Sequence, residues 1–451
     1  MQRTFPSDFL WGVATSAHQV EGNNTNADLW LEEQIPGSPF VEPSGIALDQ
    51  WNLYKADIEL LASLGLKCYR FSIEWARIEP GPDEWSDEAL NHYLDVCDEC
   101  IRHGMEPVIT LHHFTSPQWL MRYGGWRGDE TPQLFARYVE KVIAKLGHRV
   151  RYVVTMNECN IAAVLHDYVQ QLIAKGDKVA IEKLSNNAWR RVAAERCGVE
   201  ESQYCSFIGA MDPKGVETVK SAHRAARAVI RRLAPHIKVG FSLSLQQAQV
   251  RPGAEKYALD AWQRKFRQWL PLIADDDFVS TQTYTRTIYD VEGKYHVPAG
   301  SPTTLMKFEF APEALAEVLR TIASEVDKPI LISENGAPVA DDKDRVEFIG
   351  RALAGVHQCV ADGIKVLGYF YWSGFDNFEW YFGYHMRFGI IAVDRATMKR
   401  TPKESAYYLG AIARTGMLPD EALVKPQPDA ARELRDILKA ERQRQDEGTQ
   451  A

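Results

Sequence analysis

No stretch of this sequence reaches the roughly 18 uninterrupted apolar residues that a membrane-spanning helix needs, so no membrane association is expected. Positive charge is also in deficit. The 52 Lys and Arg are outnumbered by 61 Asp and Glu, and the net charge of −9 with no long basic run argues against a nucleic-acid surface. Glycine-rich phosphate turns are missing: there is no GxGxxG and no P-loop, which counts against a doubly wound nucleotide-binding sheet. Cysteine is sparse and odd in number. Seven residues without a regular spacing point to a reducing, cytoplasmic setting rather than a disulfide-stapled secreted scaffold. Cys97 and Cys100 form a CxxC, but inside a helical pattern with no second Cys or His pair nearby, so no metal is expected there. The opening "MQRTFPSDFLWG" has no long apolar stretch of the kind a secretion signal carries.

What is present is an ordinary globular composition, 45% hydrophobic and 25% charged, ample for a large core. Short apolar or β-branched runs alternate with amphipathic segments. The strand candidates are "FLWGVATSA", "KCYRFSIEW", "EPVITLHHF", "RYVVTMNE", "KVGFSLSLQ", "FVSTQTYT", "PILISENG" and "VLGYFYWSG". They alternate little between polar and apolar, as strands covered on both faces do. Between them, Leu90, Leu94, Cys97 and Ile101 recur at helical spacing before Gly104, and Leu134, Tyr138, Val142 and Leu146 before Gly147. Eight strand-then-helix units predict an α/β fold: a single (β/α)₈ TIM barrel with elaborated loops on its C-terminal face. The barrel is expected to span 1–416. The stretch from about 166 to 213 reads as a long irregular loop, and 417–451 as an appendage with a charged helix carrying Leu434, Ile437 and Leu438 on one side.

In such a barrel the chemistry sits at the C-terminal strand ends. Those ends carry Gln19, Arg70 with Glu74, His112 and His113, Asn157 with Glu158, Tyr284, Glu334 with Asn335, and Trp372. A carboxylate ending a buried strand faces a desolvation cost, so a lone one is most often a paired structural residue. Here there are two, on the fourth and seventh strands, each beside an Asn. Facing carboxylates are the equipment for glycosidic bond cleavage, one protonated and one ionised. Arg70 could hold the ionised partner. The stretch "YFYWSGFDNFEWYFGYHMRFG" interleaves aromatics with Asp376, Asn377 and Glu379. A thick core around strand eight is the plain reading, and a sugar cradle is the sharper one, since aromatic faces stack on sugar rings.

Taken in order, "FLWGVATSAHQVEG", "YRFSIEWARIEP", "TLHHFTSP", "TMNECN", "ISENG", "DNFEW" and "RFGIIAVD" resemble the signatures of glycoside hydrolase family 1, the β-glucosidase family, over nearly the whole chain to about 416. The resemblance implies a retaining, exo-acting β-glycosidase, most simply a β-glucosidase. Glu158 would be the acid/base and Glu334 the nucleophile. Arg70 and Tyr284 would contact the nucleophile, and Asn157 the sugar 2-hydroxyl. Gln19, His113, Glu379 and Trp380 would bind the other hydroxyls, with Trp372 as stacking platform. No cofactor or metal is implied. The partner would be a small carbohydrate or an aryl or alkyl β-glycoside, with a homo-oligomer open. The chain departs from the family pattern at Cys159 (usually Pro), Phe114 (commonly Trp) and Gln282 (usually Asn), and in the loop after strand one. β-Galactosidase or β-fucosidase specificity, a 6-phospho-β-glycosidase and, more distantly, a non-catalytic sugar-binding protein are the alternatives. Against the phospho-enzyme, Glu379, Met386 and Phe388 stand where that branch carries Ser, Lys and Tyr for the phosphate.

Overall fold

The structure, a computed structural model, describes residues 3–174, 188–292 and 297–449. Its centre is a ring of parallel strands. In chain order these are Leu10–Ala14, Cys68–Ser72, Glu106–Thr110, Tyr152–Val154, Lys238–Gly240 with Ser242–Ser244, Val279–Thr283, Ile330–Asn335 and Val366–Trp372. Each of the first four pairs with the next, the first also pairs with the last, and the last three run on in order. The fifth is broken at Phe241, and its two halves bond opposite neighbours: Lys238–Gly240 pairs with strand four and Ser242–Ser244 with strand six. Counted as one strand, it closes an eight-membered (β/α)₈ barrel.

The lumen is a packed core. Leu10, Cys68, Val108, Val154, Leu331 and Phe370 fill it, all buried, and Trp372 and Phe388 roof it at the C-terminal end. Along strand two the inward positions are thus Cys68 and then Arg70, so the same alternation that plugs the barrel delivers a guanidinium to its mouth. Strand seven needs a device for this. Its register against strand six skips Ser333: Ile332 faces Thr281 but Glu334 faces Gln282. The bulge gives Glu334 the inward parity that strict alternation from Leu331 would have assigned to Ser333.

The helices lie outside the ring. Asp87–Arg102 starts at Ser86, whose hydroxyl accepts from the Ala89 N–H at 3.1 Å, and buries Leu90, Tyr93, Cys97 and Cys100. The inward stripe therefore ends on Cys100. Ile101, expected on that stripe, is 46% exposed, because at 3.6 residues per turn Cys100 lies closer to its centre. The CxxC is helix–barrel packing. The helix predicted before Gly147 forms at Thr131–Leu146, and further outer helices run at Ala314–Glu325 and Asp342–Ala361.

The expectation of an irregular connection from about 166 to 213 is corrected by two helices, Ile161–Ala174 and Ala188–Cys197, followed by short 3-10 turns. Residues 175–187 of that stretch lie outside the described residues. "IAAVLHDYVQQLIA" contains neither Gly nor Pro and is rich in Ala, Leu and Gln, so propensity favours a helix even beyond a strand end. At the C-terminus, Arg432–Glu433 pairs with Gln249–Val250, and Leu434, Ile437 and Leu438 enter the core shared by strands and helices. Among the described residues no helix is long and apolar enough to cross a membrane.

Candidate active site

At the barrel mouth Arg70 is fully buried and all its bonds point at its neighbours. Nη1 donates to Glu334 Oε1 at 2.7 Å and Nη2 to Asn157 Oδ1 at 2.6 Å, while Nε donates to Thr110 Oγ1 at 3.0 Å. One guanidinium thus ties the ends of strands two, four and seven together. The Tyr284 hydroxyl donates to the other Glu334 oxygen, Oε2. Asn157 Oδ1 also accepts from Gln282 Nε2 at 2.6 Å and Ser242 Oγ at 3.3 Å. Three converging donors fix the amide orientation and leave Nδ2 as the Asn157 group available to a ligand.

Glu158 follows directly, with a left-handed backbone (φ +44°) and only 7% of its surface exposed. Burial first, then the charge of Glu334, pushes its carboxyl up to about 8, with a Ser244 hydrogen bond opposing. Burial leaves Glu334 raised as well, although Arg70 and the Tyr284 hydroxyl act against it. The asymmetry is in the partners. Glu334 is hydrogen-bonded by a cation and a phenol, whereas Glu158 is bonded by neither and feels Arg70 only as the weakest of the influences on it, so the proton of this coupled pair resides on Glu158.

The far wall is built from loops after strands one, three and eight. Gln19 is locked by Ser16 Oγ donating to its Oε1 at 2.7 Å, while its Nε2 donates to the Phe378 carbonyl at 2.5 Å and Glu379 Oε2 at 3.3 Å. Glu379 is pushed up to about 8 by burial and by Glu334, against hydrogen bonds from Trp372 and Gln19. The His113 ring lies nearly parallel to both Trp372 (5.7 Å, 23°) and Trp380 (6.0 Å, 18°). Burial first, then Arg70, drives its imidazole well below the usual range, so His113 is neutral near pH 7. Trp380 stacks in turn on His18 (5.7 Å, 2°), which is ion-paired to Glu33 at 2.7 Å.

The ten residues to which the resemblance gives roles therefore fall into two connected groups at one mouth. Arg70, Asn157, Tyr284 and Glu334 hydrogen-bond directly to one another, with Glu158 coupled electrostatically to Glu334. Gln19, His113, Trp372, Glu379 and Trp380 form the adjoining wall. Of the polar residues interleaved with the strand-eight aromatics, Glu379 alone joins this wall. Asp376 is ion-paired to Lys403 at 2.8 Å, and Asn377 donates to Ser373 Oγ. Tyr369, Phe370, Tyr371, Phe375 and Phe378 are core. Among the described residues no group of three or more His, Cys, Asp and Glu is arranged to hold a metal ion.

The profile of glycosyl hydrolase family 1 matches residues 1–206 and 218–417. The chain belongs to glycosyl hydrolase family 1. Within that family it is 31% identical to a β-glucosidase of an Agrobacterium species over 91% of this chain and 95% of the relative. It is 29% identical to β-glucosidase A of Thermotoga maritima over 93% and 99%. Among solved structures, β-glycosidase BGL167 matches with a TM-score of 0.86 and 42% identity, covering 94% of this chain and 99% of that one. The family 1 assignment makes the protein a glycoside hydrolase acting on carbohydrate substrates.

Sequence reasoning missed Ser242 and Thr110 and did not foresee that Gln282 would brace Asn157. All three are inward-facing polar residues. Ser242 and Gln282 lie on strands where polar residues outnumber apolar ones, "SLS" and "VSTQT", and that excess of polar residues in buried strands was the available signal.

Proposed function

We propose that this family 1 enzyme is a retaining, exo-acting β-glucosidase in which Glu334 is the nucleophile and Glu158 the acid/base. The observation that carries the assignment is the unequal support of the two carboxyls: Arg70 and Tyr284 are hydrogen-bonded to Glu334, while Glu158 is buried with neither of them bonded to it. The ionised Glu334 attacks the anomeric carbon while Glu158 passes its proton to the glycosidic oxygen, so the aglycone leaves as an alcohol. The glycosyl–Glu334 ester is then opened by water. Glu158, now the base, takes the water proton, and the sugar departs with its β-configuration.

Asn157 Nδ2, oriented by its three braces, is the donor for the sugar 2-hydroxyl, where bonding strengthens in the transition state. Gln19, His113, Glu379 and Trp380 take the remaining hydroxyls, and Trp372 supplies the apolar face. Glucose is favoured by the names of the relatives, β-glucosidases in both cases. The reducing cytoplasm is the compartment we assign, since all seven cysteines are free and buried. The test is proton NMR of hydrolysis of an aryl β-glucoside. The β-anomer of glucose is expected to form first, and first formation of the α-anomer overturns the double displacement. A panel with the β-galactoside and β-fucoside ranks the sugars.

A further inference from the structure

Strand four stops pairing in regular fashion at Val154, yet its next residues must hold Asn157 and Glu158 steady. The backbone ladder continues past the strand by single bonds. The Thr155 N–H donates to the Gly240 carbonyl at 2.9 Å, the Ser242 N–H to the Met156 carbonyl at 3.1 Å and the Cys159 N–H to the Ser242 carbonyl at 2.9 Å. Ser242 is the first residue after the break at Phe241, and it is fully buried. Its hydroxyl has one proton and two lone pairs, and all three are engaged. It accepts from the Glu158 backbone N–H at 2.9 Å and from Gln282 Nε2 at 3.2 Å, and it donates to Asn157 Oδ1 at 3.3 Å.

We infer that Ser242 is a positioning residue for the acid/base: its hydroxyl holds the left-handed backbone at Glu158 and the amide of Asn157 in one register. The inference rests on the proposed role of Glu158. A left-handed φ at a residue with a Cβ is unfavourable unless the surroundings over-determine it. Here a side-chain oxygen supplies the acceptor for that residue's N–H. An alanine at 242 would leave the N–H buried without a partner and free the Glu158 peptide to rotate, swinging the carboxyl away from the glycosidic oxygen. The break at Phe241 is what makes this available. It ends the half-strand that pairs with strand four, and Ser242 begins the half that pairs with strand six, so the hydroxyl lies between Glu158 and Gln282.

The test compares kcat/KM on an activated dinitrophenyl β-glucoside and on an alkyl β-glucoside, whose leaving group needs a proton. Ser242→Ala is expected to lose about 10- to 100-fold on the alkyl substrate, the range for stranding a buried donor, and several-fold at most on the aryl one. Ser242→Thr, which keeps the hydroxyl, should recover most of the loss. Ser242→Cys, which keeps size with a weak hydrogen-bonding group, should fall between and serves if the alanine variant does not fold. Glu158→Ala is measured alongside. Equal losses on both substrates in Glu158→Ala overturn the acid assignment and Ser242's role with it. A differential loss in Glu158→Ala with equal or absent losses in the Ser242 variants overturns the Ser242 inference alone.

Discussion

Replacing Glu334 with Gln removes one charge from the mouth while keeping shape, and the consequence falls on Glu158. The Glu158 carboxyl stands at about 8 because of burial first and the Glu334 charge second. For carboxyl groups at the ~5–5.5 Å separation of retaining enzymes, repulsion at an effective dielectric of 20 is about 3 kcal/mol, or roughly two pKa units. In Glu334→Gln the Glu158 carboxyl should therefore titrate clearly below its native value of about 8, yet still above an ordinary glutamate because the burial remains. The sign is fixed: removing a neighbouring negative charge can only ease ionisation of Glu158. Carbon-13 NMR of Glu-labelled protein reads the titration directly, and it works on a variant that no longer turns over. Glu379, also near about 8 and also pushed up by Glu334, is distinguished by repeating the titration in Glu334→Gln with Glu158→Gln. An unchanged Glu158 titration would refute the charge coupling between the two strand ends and leave burial as the whole cause.

Three further outcomes are expected. Arg70→Met strands Glu334 in a buried site with only Tyr284. It should cost about 3–5 kcal/mol of stability, and it should raise the Glu334 pKa and move the acidic limb of the pH–rate profile upward, measured by denaturant melts and kcat/KM against pH. A 6-phosphate on the glucoside would meet Met386, Phe388 and the buried Glu379 carboxyl, so kcat/KM for nitrophenyl β-glucoside should exceed that for its 6-phosphate by about two orders of magnitude or more. Comparable values would favour a phospho-glycosidase. Asp28 and Glu74 at about 7, and Glu32, Glu158 and Glu379 at about 8, all bind protons more tightly folded than unfolded. Their contribution is present below about pH 4.5 and lost as pH rises through about 7–8, so Tm by calorimetry should fall between about pH 5.5 and about pH 8. A Tm that climbs over that window contradicts the protonated, buried state of these groups.

Much of the barrel and its mouth could be read from residue order because each strand ends where apolar residues give way to polar ones. "TMNE" and "ISEN" put an Asn and a Glu at two strand tips, and "CYRFS" alternates an inward Cys68 with an inward Arg70. What stayed hidden depends on backbone departures that leave the side-chain pattern unchanged. Simple alternation along "ILISEN" turns Ser333 inward and Glu334 outward, and only the bulge against strand six reverses this. Nothing in "KVGFSLSLQ" announces a break at Phe241, although that break shares strand five between two neighbours and sets Ser242 beside Glu158 and Gln282. The aromatic run after strand eight misled differently. Asp376 and Asn377 look like a sugar cradle beside Glu379, yet Lys403 and Ser373, remote in sequence or hidden in the turn, claim them. Ile101 fell outside its helix stripe because the buried face is centred on Tyr93, Cys97 and Cys100, and Ile101 lies to one side of it.

In the proposed mechanism Glu334 forms the covalent bond to sugar while Glu158 handles the proton. The most direct measurement is mass spectrometry of peptides from enzyme inactivated with a 2-deoxy-2-fluoro β-glucoside carrying an activated leaving group. The electron-withdrawing fluorine slows both steps and the good leaving group restores only the first, so the glycosyl–enzyme ester accumulates. An adduct of one fluorosugar on the peptide containing "LISENG", lost when Glu334 is replaced, is the expected result. An adduct on Glu158 or Glu379, or stoichiometric turnover with no adduct and an inverted product, would contradict it.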